Sequence, residues 1–206
     1  MLGVYNYTVI LTYIGMLSGF AGICFAGGGN VKAALICLIV AGVCDMFDGK
    51  IASTLERNRQ EKRFGVQIDS LSDLICFGVL PAFVVCAGAS GVVRAAISGL
   101  YVLAALIRLA WFNVSEEERQ DSETGGRKAY QGLPVTSAAL FLPLVYGLCD
   151  LFSVDASWIA SIALLLMGAA FLTPFRLKKP ALVGKIVMVA LGLICLLLVC
   201  QMGVAR

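Results

Sequence analysis

The chain has 206 residues, 60% of them hydrophobic and 14% charged, with a mean hydropathy of +0.91. This composition excludes an ordinary soluble domain and indicates an integral membrane protein. The net charge of +3 gives no reason to expect nucleic acid as a partner, and with no histidine any acid–base chemistry falls to carboxylates, Lys, Tyr, Cys or water.

Hydropathy predicts seven apolar segments, at 8–27, 31–54, 65–88, 90–112, 134–152, 156–173 and 181–203. About 20 apolar residues cross a bilayer core as a helix, so the expected fold is an all-α, polytopic transmembrane bundle. About seven helices are expected, within a range of six to eight, as one domain over 1–206. The first segment lacks a basic leader and is too long for a signal peptide, so it is expected to be a retained helix. Gly27, Gly28, Gly29 and Asn30 form a tight turn into the second segment, and residues 88–90 form another into the fourth. Two polar loops, 53–64 and 113–133, hold most of the charge, and the acidic run at 116–118 is expected to be a solvated loop. Eight cysteines stand singly in the chain, with no CxxC pair, and read as small hydrophobic packing residues.

Basic residues set the orientation. With the N-terminus in the cytoplasm, twelve Lys and Arg fall on that side, three on the other, and Lys185 near the cytoplasmic face. The positive-inside rule favours this arrangement. With seven helices it places the C-terminus outside. Basic loop residues are also positioned to meet anionic lipid headgroups.

Four carboxylates depart from this apolar pattern. Asp45 and Asp48 are spaced i, i+3 near the end of the second segment, and Asp69 and Asp73 i, i+4 near the start of the third. Each pair shares a helical face, and both approach the same membrane surface. An Asp at the centre of a bilayer helix costs about 2.5 to 3.5 kcal/mol on insertion scales. A divalent cation between the two helices is the simplest compensation. Hard carboxylate oxygens suit Mg²⁺ or Mn²⁺, and Mg²⁺ commonly completes its shell with substrate phosphates. Gly49 and Ala52 open a notch beside Asp48, either for a ligand or for close helix packing. Gly65 is likewise a turn residue or space for substrate.

Asp45, Asp48, Gly49, Ala52, Gly65, Asp69 and Asp73 together resemble the signature of the CDP-alcohol phosphotransferases, Asp-x-x-Asp-Gly-x-x-Ala-Arg followed after a spacer by Gly-x-x-x-Asp-x-x-x-Asp. There are two departures. Ser53 stands in the Arg slot, and the spacer from Ala52 to Gly65 has twelve residues where the family pattern has nine. Arg57 or Arg59 is expected to restore the missing charge. The run from Asp69 to Asp73, with Phe77, Gly78, Pro81 and Ala82 after it, is similar to the serine-using branch of the family. The stretches from Arg108 to Asn113 and from Tyr130 to Pro134 agree with that branch, and the resemblance extends to about residue 145.

The resemblance implies transfer of a phosphatidyl group from CDP-diacylglycerol to the hydroxyl of L-serine, with release of CMP. It implies Asp45, Asp48 and Asp69 as metal ligands, and Asp73 as general base and further ligand. Thr12 falls at a nucleotide-side position, Arg108 suits the serine carboxylate or a phosphate, and Asn113 and Tyr130 are expected near the substrate. A homodimer in the plasma membrane, with its active site facing the cytoplasm, is the family expectation. The rival readings are a relative using glycerol 3-phosphate or an inositol phosphate, a cation transporter, and a non-catalytic scaffold. Ser70 and Ser72 are expected to do no more than fill polar helix surface.

Overall fold

The computed structural model describes residues 3–88, 91–122, 129–174, 176–178 and 182–203, with side chains given outside 119–131 and 175–186. Among the described residues the chain forms the expected helical bundle. Seven helices follow one another: α1 (Ile10–Gly27), α2 (Val31–Ala52), α3 (Arg59–Ala87), α4 (Val92–Ser122), α5 (Ala138–Leu151), α6 (Ala156–Leu172) and α7 (Leu182–Gln201). Of these, α1, α3 and α4 are long and apolar enough to cross a membrane. Large side chains such as Leu17, Phe20, Leu166 and Leu197 point outward and are well exposed. An apolar exterior is what a lipid-facing bundle requires.

Two helices differ from the sequence-based expectation, for local reasons. α3 begins at Arg59, inside the expected loop 53–64. The Asn58 side chain accepts from the Glu61 amide at 2.8 Å, and Glu61 Oε2 accepts from the Asn58 amide at 2.9 Å. This reciprocal capping box starts the helix before its apolar run. α4 runs on to Ser122, so the acidic run at 116–118 is helical and not loop. Arg63 of α3 meets Glu117 of α4 at 2.8 Å, pairing the two polar extensions. A short antiparallel ribbon, β1 (Ala129–Gln131) with β2 (Arg176–Lys178), was not anticipated; it links the segments before α5 and α7.

α1 packs closely against both α2 and α3. A Cβ on Gly19 would lie 2.5 Å from Cys76 Sγ, so only glycine permits the observed approach of α1 to α3. Cys76 Sγ also donates to the Gly15 carbonyl at 3.3 Å, and Ser72 Oγ to the Thr12 carbonyl at 3.4 Å.

Just after Asp73, α3 widens into a π-helical turn, Leu74–Val79. The cause lies in the sequence. Pro81 has no N–H to give the Phe77 carbonyl four residues back. Tyr101 Oη of α4 donates to that carbonyl instead, at 2.7 Å. Tyr101 is buried and rests on Phe171 of α6, ring centroids 5.5 Å apart. The turn that follows the acidic pair is therefore fixed by a neighbouring helix.

The two ends of the bundle differ in character. Lys32, at the start of α2, donates to the carbonyls of Cys200 (2.6 Å) and Met202 (3.1 Å) at the end of α7. The end of α7 thus lies with the start of α2, away from the acidic end of that helix.

Candidate active site

The end of α2 and the start of α3 converge beside the first turn of α1. Asp45 and Asp48 come from α2 and Asp69 from α3, and one carboxylate oxygen from each lies within 4.8 Å of the others. Asp48 is buried, while Asp45 and Asp69 are partly exposed. Thr12 Oγ1 of α1 donates to Asp48 Oδ2 at 3.3 Å, which orients that carboxylate. Among the described residues, no Lys or Arg lies within ion-pair distance of the four aspartates. Three converging carboxylates without a basic partner are a donor set that fits a hard divalent cation. Asp73 stands one turn beyond Asp69 on the same face of α3 and is not one of the trio.

The other expected residues surround this centre in different ways. Gly49 is exposed, and a Cβ there would meet nothing within 4 Å, so it opens the notch and packs against no helix. Ala52 closes α2 and is partly exposed. Ser53 turns its hydroxyl back to the Lys50 carbonyl at 2.6 Å and is exposed. Arg57 lies over Gly65, with Nη1 3.0 Å from where a Cβ on that glycine would be. Arg108 is buried, 8% exposed, and its Nε lies 3.5 Å from the corresponding point on Gly132. Gly132 has φ +71°, and a side chain there would also meet the Phe171 and Thr173 carbonyls at 3.1 and 3.0 Å. Tyr130 pairs through its backbone with Leu177, and its side chain lies outside the described residues.

Asn113 ties α4 to α3. Its Oδ1 accepts from Ser70 Oγ at 2.6 Å, and its Nδ2 donates to Gln67 Oε1 at 3.2 Å. Ser70 and Ser72 are buried and hydrogen-bonded, which corrects the expectation that they only fill polar surface. The sequence did hold a signal for them. Ser70 follows Asp69, and Ser72 precedes Asp73, so their side chains must point to the helices flanking the acidic face.

A family profile described as CDP-alcohol phosphatidyltransferase matches residues 5–174. The chain belongs to this family. The motif resemblance read from Asp45 to Asp73 is thereby borne out, and the matched span covers all the aspartates, Arg108, Asn113 and Tyr130. Within the family, the chain is 37% identical over 147 residues to the CDP-diacylglycerol–serine O-phosphatidyltransferase of Saccharomyces cerevisiae, covering 65% of this chain and 52% of that protein. It is 33% identical over 139 residues to the archaetidylserine synthase of Methanothermobacter thermautotrophicus, covering 66% and 56%. A CDP-diacylglycerol–serine O-phosphatidyltransferase of Helicobacter pylori is 28% identical over 141 residues, covering 67% and 54%. The chain spans about half the length of these curated relatives.

Two features that shape α3 were missed at the level of sequence. One is the Asn58–Glu61 capping box, visible as Asn-x-x-Glu but obscured by the surrounding charge. The other is Tyr101. Pro81 shows that the Phe77 carbonyl needs an outside donor, but nothing local shows which helix supplies it.

Proposed function

We propose that the protein transfers the phosphatidyl group of CDP-diacylglycerol to L-serine, giving phosphatidylserine and CMP, with Mg²⁺ or Mn²⁺ as cofactor. The observation that carries this reading is the unpaired trio Asp45, Asp48 and Asp69 with Asp73 one turn away, in a chain of this family. The serine acceptor is supported by relatives whose names specify serine on either lipid type.

In this reading Asp45, Asp48 and Asp69 hold the cation, and Thr12 fixes the orientation of Asp48. Such a cation, when bound, neutralises charge on the phosphoryl oxygens and on the departing CMP. The serine hydroxyl oxygen forms a bond to the diacylglycerol-side phosphorus, and the bond from that phosphorus to the bridging oxygen of CMP breaks. Asp73 takes the hydroxyl proton as the new bond forms, since an alkyl hydroxyl holds its proton at neutral pH. Arg108 receives the serine carboxylate through its planar fork. Asn113 acts at one remove, holding α4 to the helix that carries Asp69 and Asp73. The open backbone at Gly49 and Ala52 admits the phosphate-bearing part of the substrate.

The protein would work as one integral domain of the plasma membrane, among membrane lipids, with the acidic end facing the cytoplasm. The basic-residue asymmetry supports that orientation. Homodimerisation is carried over from the family resemblance. The deciding experiment is CMP release from CDP-diacylglycerol by the purified protein with L-serine, glycerol 3-phosphate or inositol phosphate. Release with serine alone, abolished by EDTA, is expected. Release only with a phosphorylated alcohol would overturn the acceptor.

A further inference from the structure

We infer that Arg57 is the residue that grips the substrate's phosphate anion at the acidic site; this rests on the reading that a nucleotide-linked lipid binds there. The aspartates alone repel such a substrate, and no basic side chain is spent on them. A cationic group must therefore come from the rim.

The loop between α2 and α3 narrows the choice. Ser53 has bent its hydroxyl onto Lys50, and Thr54 donates to the Ile51 carbonyl at 2.8 Å. Both close the end of α2 and face away from ligand duty. Arg59 and Arg63 are already engaged, Arg63 with Glu117. Arg57 differs from them. Its Nε is buried without an acceptor, and no carboxylate among the described residues pairs with it. A buried guanidinium N–H left without an acceptor is costly, and a phosphate oxygen is its natural partner.

The location is right as well. Arg57 lies on the bare backbone of Gly65. Gly65, Asp69 and Asp73 are spaced i, i+4, i+8 on α3, so Gly65 is about 6 Å along the axis from Asp69. Gly65 is then space for Arg57 and not a turn residue. Any side chain at 65 must push the guanidinium aside, and the far end of an Arg moves readily.

This yields a pair of variants in which one displaces Arg57 without removing it. The full chain in detergent micelles is assayed by CMP release, with equilibrium binding of CDP-diacylglycerol measured in parallel. R57A is expected to raise KM for CDP-diacylglycerol about 10- to 100-fold, with KM for serine unchanged within twofold. R57K, which keeps charge without the fork, should fall between. G65A should raise the same KM severalfold in the parent but add nothing in R57A, because the two changes act through one group. Equal effects on both substrates, no effect of R57A, or additive effects of G65A and R57A would each overturn the assignment. If the parent releases CMP only with another alcohol, the acceptor reading falls and the same KM comparison, run with that alcohol, still decides Arg57. If it releases none, the binding measurement decides.

Discussion

Position separates the four carboxylates. Asp45, Asp48 and Asp69 lie close enough to share one cation, whereas Asp73 is a turn away on α3 and, in the proposed reaction, takes the proton of the substrate hydroxyl. Substituting within each group should therefore give different signatures. Asp73→Asn is expected to lower kcat about 10²- to 10⁴-fold while leaving Mn²⁺ affinity within a few-fold, because it removes a base and keeps the trio. Asp48→Asn should abolish Mn²⁺ binding and activity together. Calorimetric titration with Mn²⁺ beside a CMP-release assay separates the two, and loss of metal in Asp73→Asn would make it a fourth ligand. Thr12 touches no substrate in this scheme and acts through Asp48. Thr12→Val should weaken Mn²⁺ binding about tenfold, in the range found when a ligand loses its supporting hydrogen bond. An effect on serine KM alone would contradict that role.

Among the helices, α3 does most to place the site, and its shape comes from a proline, a tyrosine and a cap. Tyr101→Phe removes the side-chain donor to the buried Phe77 carbonyl, at a cost of about 1 to 3 kcal/mol. A lower thermal midpoint with a reduced kcat is expected, since the π turn adjoins Asp73. An unchanged midpoint would mean that the turn holds itself. α6 offers a test in pH. Its cap Asp155 accepts from the Ser157 amide at 2.9 Å and from Ser157 Oγ at 2.7 Å, and these bonds hold its carboxyl below the ordinary value of 3.8. A depressed folded-state pKa means stability present above the unfolded value and lost as pH falls through the folded one. Asp155→Ala should thus lower the midpoint at neutral pH, and the difference from the parent should shrink in strong acid, where only a neutral cap is lost. A gap that does not shrink there would point to another cause. These elements also show what the chain makes legible. The apolar runs revealed the seven helices, and the Asp45–Asp73 spacing revealed the site, because both are local patterns. The polar extensions of α3 and α4 were hidden, since their stability comes from a cap and a cross-helix ion pair and not from apolar periodicity. Tyr101 and Asn113 act across helices, and no spacing along the chain encodes a partner 24 or 43 residues away.

For the molecule as a whole, topology is the testable quantity. Seven crossings would put the two termini on opposite faces, and one contact is consistent with that arrangement. Lys32 reaches the last carbonyls of α7, where a cation is favoured by the unpaired C=O groups and the helix dipole. The start of α2 and the end of α7 therefore share a face. The acidic site, the Arg63–Glu117 pair and the β1–β2 ribbon occupy the other, with most of the Lys and Arg among the described residues. If that basic face is cytoplasmic, a reporter active only outside the membrane should work when fused after Met202 and stay silent when fused after Lys178. A cytoplasmic reporter should give the reverse pattern. Equal signals at both sites would mean that α7 does not cross, and the count would fall to six. Lys32→Ala should then distinguish an anchoring role from a passive one. If Lys32 pins α7, the variant should blur the pattern at Met202 and leave CMP release nearly intact, because the contact lies at the end of α2 remote from Asp45 and Asp48.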